Sequence, residues 1–317
     1  MKHELVKSIL NRDKLALSRA ISTVENRLAG YGEMLDILYP HGGRAYRIGI
    51  TGPPGAGKST LVDQITSRIL NLGKKVGIIA VDPTSPFSGG ALLGDRVRMG
   101  GLAGREGVFI RSMATRGSLG GLAVATKDVS VLLDAFGMDY IMMETIGVGQ
   151  IELDIADACD TTVVVLVPES GDSIQAMKAG LMEIADVIAV NKADRQGATQ
   201  LSQELQFTFQ LRKRQSDWCY PILLTEAVSG RGADELWQAI CSHRDYLERS
   251  GDFEVHRRRQ IKSRVKELLE ARIRSHLEKE LHLDDLLDGK ADKVFKREMS
   301  PSQAADEIFK HIREYGA

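Results

Sequence analysis

Between residues 46 and 225 short apolar runs recur: YRIGIT, KVGIIAV, GVFIRSM, MDYIMM, TTVVVLV, DVIAV and YPILLT. Most are separated by helix-length segments. Several are continuously apolar rather than alternating, the pattern of strands covered on both faces. This βαβ rhythm predicts an α/β fold with a mostly parallel, doubly wound sheet, whose ligands sit at the carboxyl ends of the strands. On either side the period is helical. Leu17, Ile21, Val24 and Leu28 fall at i, i+4, i+7 and i+11 within residues 1–40, and YPHGGR (39–44) then breaks the pattern. After about residue 250 the strands stop. Ile261, Val265, Leu268, Leu269, Ile273, Leu277 and Leu281 mark one long amphipathic helix, and MSPSQAADEIFKHIREY (299–315) another, with Ser300 as N-cap and Pro301 in the first turn. The expected organisation is an N-terminal helical extension (1–43), a nucleotide-binding domain (44–250) and a C-terminal helical region (251–317). The long apolar strip needs a partner, either its own sheet domain or a second copy, and periodicity alone does not choose.

Composition narrows the class. The chain has 317 residues, 43% of them apolar, which suits one large α/β domain with helical additions. A formal net charge of −1 supplies no field to draw nucleic acid or anionic lipid. The basic runs RKR (212–214) and HRRRQ (256–260) read as solvated helix surface, because acids lie close by. Cys159, Cys219 and Cys241 are odd in number, widely spaced and form no CxxC, which points to reduced thiols and the cytoplasm. The charged N-terminus is not a secretory signal, and no stretch approaches the roughly 18 apolar residues of a membrane span.

The chemistry begins at GPPGAGKST (52–60), which matches G-x-x-x-x-G-K-[ST] between an expected strand and an expected helix. Glycines there let backbone N–H groups crowd phosphate oxygens, and the helix N-terminus adds positive potential. Gly52, Gly55, Ala56, Gly57, Lys58, Ser59 and Thr60 are the expected nucleotide contacts. Lys58 is expected to reach the β- and γ-phosphates, and Ser59 to ligate Mg²⁺. Downstream, NKAD (191–194) follows the strand DVIAV, where an N-K-x-D guanine reader belongs. Asp194 can accept from guanine N1–H and its exocyclic amine, which adenine cannot satisfy, and such bonds discriminate by roughly 10⁴–10⁵. Asn191 is expected to tie this loop to the phosphate loop, and the Lys192 stem to cover the base. TEAVSG (225–230) occupies the place of a last base-contacting loop, with Glu226, Ala227 and Val228 as its contacts. The ligand is therefore expected to be GTP or GDP.

Three carboxylates compete for the magnesium side. Asp82 ends one strand, Glu144 ends another in ETIGVGQ (144–150), and Asp95 lies between them. For Asp95 a surface ion pair with Arg96 or Arg98 stays open. Gly147 can donate its N–H to the γ-phosphate. Glu144 is longer than the usual aspartate, so it is expected to orient a magnesium-bound water rather than ligate the ion. Gln150 stands three residues beyond Gly147, poorly spaced to hold an attacking water alone. Slow basal turnover, completed by a conformational change, is the expectation.

Together, GPPGAGKST, DPTSPFSGGALLGDRVRM, FIRSMATRGSLGGLA, ETIGVGQ, GDSIQAMKAG and NKAD resemble the MeaB/ArgK family of P-loop GTPases, called MMAA in animals. The resemblance runs from about residue 5 to beyond 300. It implies a homodimer built with the C-terminal helices. It also implies GTP hydrolysis that gates adenosylcobalamin delivery to methylmalonyl-CoA mutase, or a related acyl-CoA mutase, and protects that enzyme. It assigns Lys58, Ser59 and Thr60 to phosphates and Mg²⁺, and Asp82, Asp95 and Glu144 to the magnesium and switch side. Residues 170–178 then correspond to a mobile loop that carries the mutase's signal, with Asp172, Gln175 and Lys178 as its polar members. The source of the stimulating group stays open: an arginine in cis (Arg111 or Arg116, both near the loops), Lys178, or a group from the mutase. Two other functions stay open: a nickel-type metallochaperone, which needs clustered Cys and His where this chain scatters its seven histidines, and a small-molecule kinase.

Overall fold

All seven apolar runs form strands. The structure is a computed structural model and describes residues 2–82, 101–102, 104–114, 119–145, 156–168, 181–211, 217–279 and 283–315. The strands are β1 (Tyr46–Thr51), β2 (Val76–Asp82), β3 (Val108–Ala114), β4 (Tyr140–Glu144), β5 (Thr161–Leu166), β6 (Val187–Asn191) and β7 (Ile222–Thr225). They build one sheet in the order β3-β2-β4-β1-β5-β6-β7. Every pair in it is parallel. The described helices are α1 (Lys2–Leu10), α2 (Lys14–Glu25), α3 (Tyr31–Leu38), α4 (Lys58–Asn71), α5 (Leu119–Phe136), the single turn α6 (Leu181–Ile184), α7 (Ala198–Leu211), α8 (Ala233–Ser250), α9 (Asp252–Lys279), α10 (Leu283–Phe295) and α11 (Pro301–Tyr315).

The sheet is covered on both faces, which explains its continuous apolar runs. Ile48 and Ile50 of β1, Ile78 of β2 and Val163 and Val165 of β5 pack beneath α4 (Leu61, Ile65, Ile69) and α8 (Leu236, Ile240). On the other face, Ile79 and Val81 of β2 and Ile141 and Met143 of β4 meet Leu132 and Leu133 of α5 together with Ile9, Leu17, Ile21 and Leu38 of the first three helices. Val164, Leu166, Ile188 and Val190 complete that face under α7. Leu17, Ile21 and Val24 of the N-terminal stripe thus find their partner in α5 and the β2–β4 half of the sheet, whereas Leu28 lies beyond the end of α2 and is exposed. Each large aliphatic side chain buried this way contributes about 1.5–3 kcal/mol.

Contacts divide the chain into two units, Met1–Glu254 and Val255–Ala317. Within the second, α11 starts on a reciprocal cap. Gln303 N–H donates to Ser300 Oγ at 3.2 Å, and Ser300 N–H donates to Gln303 Oε1 at 2.9 Å. Pro301 opens the helix, where its missing N–H costs nothing. Among the described residues, no helix is long and apolar enough to cross a membrane.

Candidate functional site

β1 lies at the centre of the sheet, between β4 and β5, where the order in which the chain adds strands switches from one side to the other. In such sheets the crevice at the carboxyl end of that strand binds ligands. β1 stops at Thr51, and α4 begins at Lys58. The loop between them has two positions that only glycine fills. Gly52 has φ 140°, and a Cβ there would stand 2.0 Å from the Val165 carbonyl oxygen. Gly57 has φ 89°, and its Cβ would stand 2.2 Å from Asn191 Nδ2. Gly57 is the N-cap of α4, and no side chain caps the helix, so its first N–H groups can serve an anion. The Lys58 ammonium arches over the same loop. Its Nζ donates to the carbonyls of Gly52 at 2.8 Å and Pro53 at 3.0 Å, with the residue only 6% exposed.

The pairing of β1 with β4 brings together two residues expected on the magnesium side. Ser59 Oγ donates to Glu144 Oε1 at 2.6 Å, and Glu144 is buried. Just beyond, Thr145 N–H donates to the Ile50 carbonyl at 3.1 Å and Thr145 Oγ1 to Thr51 Oγ1 at 2.9 Å, which fixes the end of β4 to the end of β1. A hydroxyl and a carboxylate in contact are hard oxygen donors of the kind Mg²⁺ takes, so the pair fits that ion. Asp82 is the last residue of β2, at the same edge of the sheet. Asp95, Gly147, Gln150, Asp172, Gln175 and Lys178 lie outside the described residues, as does Arg116.

The segment expected to read the base starts at Asn191, the buried last residue of β6. Its Nδ2 donates to the Ala56 carbonyl at 2.7 Å. Its Oδ1 accepts from Ala227 N–H at 3.0 Å and Thr225 Oγ1 at 3.2 Å. Lys192 then turns the chain outward with φ 58°, Ala193 N–H is held by the Thr225 carbonyl at 3.0 Å, and Asp194 is exposed. In the third loop the Glu226 carboxylate is engaged by Arg231 at 2.8 Å and Ser229 at 3.1 Å. Ala227 is buried and Val228 is 93% exposed. Gln64 of α4 donates to the Ala227 carbonyl at 3.1 Å. Loops 52–57, 191–194 and 225–231 are thus cross-linked into one piece. Gln64, Thr225 and Arg231 were not singled out from the sequence, because no motif spacing marks them.

The family model for the methylmalonyl Co-A mutase-associated GTPase MeaB matches residues 17–282. The chain belongs to the MeaB family. A putative GTPase of Pyrococcus abyssi is 46% identical over 98% of this chain and 96% of its own length. GTPase ArgK of Escherichia coli is 34% identical over 86% of this chain and 85% of its own. The mitochondrial methylmalonic aciduria type A homolog of Mus musculus is 33% identical over 98% of this chain and 72% of its own. Among solved structures, a LAO/AO transport system kinase superposes with a TM-score of 0.77 at 27% identity, covering 98% of this chain and 97% of that one.

Of the open sources for the stimulating group, Arg111 meets a specific obstacle. Arg111 of β3 is engaged by Glu25 of α2, and its Nη2 also donates to Ser22 Oγ at 3.1 Å. In register it pairs with Ile79, whose side chain packs under the N-terminal helices, on the face away from α4. In this arrangement Arg111 serves the packing of the first helices and does not approach the phosphate loop.

Proposed function

We propose that this MeaB-family chain binds GTP and hydrolyses it to GDP and phosphate in the cytoplasm, slowly until a partner stimulates it. The cycle gates adenosylcobalamin delivery to methylmalonyl-CoA mutase or a related acyl-CoA mutase, and protects that enzyme. The observation that carries this reading is the Asn191 bridge. It couples a phosphate loop to the N-K-x-D segment and to the 225–231 loop in one cross-linked unit. The mutase-associated description of the family model supports the partner.

In this reading Lys58 leaves its loop carbonyls for the β- and γ-phosphates, and the amides of residues 55–60 hold the remaining oxygens. Asp194 accepts from guanine N1–H and its amine, the Lys192 stem covers the base, and Glu226, Ala227 and Val228 form the rim of the base site. Ser59 and Glu144, with Asp82 and Asp95, would hold Mg²⁺, which neutralises charge developing between the β- and γ-phosphates. Gly147 is assigned the γ-phosphate through its N–H, Gln150 the attacking water once a partner acts, and Asp172, Gln175 and Lys178 the mutase's signal. The protein acts as a homodimer. In support, α9 exposes Ile261, Val265, Leu269 and Ile273, each at 50% or more, at helical spacing.

Capture of a purified adenosylcobalamin-dependent mutase tests the reading, with the chain loaded with GDP or with a non-hydrolysable GTP analogue. Capture that depends on the nucleotide is expected. Absence of capture in both states would sink the partner assignment.

A further inference from the structure

At the opposite, amino-terminal edge of the sheet the first unit has a half-open pocket of about 360 Å³. Its floor is the turn from Asp134 to Tyr140 that joins α5 to β4. Four cationic side chains from separate parts of the sequence line it: Arg12 after α1, Arg44 before β1, Lys74 before β2 and Arg244 on α8. Two carboxylates lie among them, and both are already committed to backbone. Asp134 accepts from the N–H groups of Gly43 at 2.8 Å, Arg44 at 3.1 Å and Ala45 at 3.1 Å. Asp139 accepts from Lys75 N–H at 2.8 Å and pairs with Lys74 at 3.3 Å. Arg244 is shared with Glu248. The guanidinium groups of Arg12 and Arg44, by contrast, make no hydrogen bond or ion pair with any described residue.

Arg12 sits at a left-handed helix end, as Arg27 and Arg297 do elsewhere in the chain. Its φ is 65°, in the left-handed region, where the chain closes α1 through Arg12 N–H to Ile9 O and Asp13 N–H to Ser8 O. Glycine is the favoured residue at such a helix end, and an arginine there costs about 1 kcal/mol or more. The strained position sets the Arg12 Nη2 close over the cavity floor, 3.3 Å from where a Cβ on Gly137 would lie. Exposed arginines are ordinarily just solvated. Here four cations from separate parts of the chain converge on one half-open pocket whose acids are engaged.

We propose that this cavity binds a small multivalent phosphate. Guanidinium forks match phosphate oxygens in paired hydrogen bonds, and the volume falls in the range of small-ligand sites, roughly 300–1,000 Å³. The site does not depend on the guanine reading. It stands at the Tyr140 end of β4, while Glu144 at the other end is roughly 13 Å away along the strand.

The test is calorimetric titration of inorganic pyrophosphate and of citrate into the full chain. The chain carries Lys58→Ala to disable the phosphate loop, with and without Arg12→Gly or Arg44→Ala. Pyrophosphate is expected to bind at submillimolar concentration and more tightly than citrate. Each arginine substitution should weaken it about tenfold or more, the loss of one charge-assisted hydrogen bond. Arg12→Gly should leave thermal stability unchanged or raised, since glycine suits φ 65°. Absent pyrophosphate binding, binding indifferent to both arginines, or a preference for citrate overturns the proposal. So does a fall in stability with Arg12→Gly, which would make that residue structural.

Discussion

The side-chain amide of Asn191 donates to the Ala56 carbonyl at 2.7 Å across 135 positions of sequence. The same side chain accepts from Ala227 N–H, so one residue sets the spacing between the phosphate loop and the last loop of the site. Asn191→Ala would leave a buried carbonyl and a buried N–H without partners. Each such group costs about 1–3 kcal/mol. The expected outcome is a fall in Tm of several degrees together with loss of GDP affinity, read by thermal melts with and without GDP. Unchanged affinity would mean that the bridge is only structural.

A second contact, Ser59 to Glu144 at 2.6 Å, predicts the behaviour of the switch side. Glu144→Gln keeps an acceptor for Ser59 but removes the charge, so folding should be preserved. Groups that support a bound metal from behind its ligands are worth about 10–100-fold in affinity or activity. The Mg²⁺ concentration needed for half-maximal GTP binding should rise by that factor, with GTP hydrolysis falling alongside. A variant with unaltered Mg²⁺ dependence would remove Glu144 from the metal side.

In the proposed reading, base identity rests on Asp194. Asp194→Asn exchanges an acceptor for a donor, so GTP affinity should fall by about 10³-fold or more while xanthosine triphosphate gains. Competition of both nucleotides against a fluorescent guanine nucleotide reads this out. Undiminished GTP binding would contradict the assignment.

Much of this was legible in the sequence, for physical reasons. The phosphate loop demands glycine at Gly52 and Gly57 through both φ and space, so its spacing is a fixed signature. The seven strands announced themselves because both faces of the sheet are covered. Strand order did not, since an apolar run says that it is buried and not which neighbour it pairs with. The N-terminal stripe of Leu17 and Ile21 called for a partner without naming α5. Arg111 read as an arginine near the site because sequence cannot show Glu25 waiting 86 positions away. The Arg12, Arg44, Lys74 and Arg244 cavity was invisible for the same reason: its parts meet only in the fold.

Acid–base behaviour supplies a further prediction. Burial pushes the Asp186 carboxyl up to about 7, partly offset by the hydrogen bond from Thr162 N–H; His243 Nε2 lies 3.5 Å away. The unfolded chain releases this proton near 3.8, so between about 4 and 7 the folded state holds more protons. Through this group stability falls as pH rises across that window, by at most about 1.4 kcal/mol per unit. The side chain keeps 31% of its surface in solvent, which screens part of that cost. Asp186→Asn should therefore become progressively more stable than the parent from pH 5 to 7, in denaturant titrations at each pH. A difference that stays flat with pH would show that Asp186 ionises normally.

The central claim is a guanine-nucleotide switch completed by a mutase. It is tested most directly by the steady-state rate of GTP hydrolysis by the purified chain, alone and with increasing adenosylcobalamin-dependent acyl-CoA mutase. The account predicts slow, saturable, Mg²⁺-dependent turnover that climbs with mutase to a plateau. A rate that does not change at any mutase concentration would contradict it.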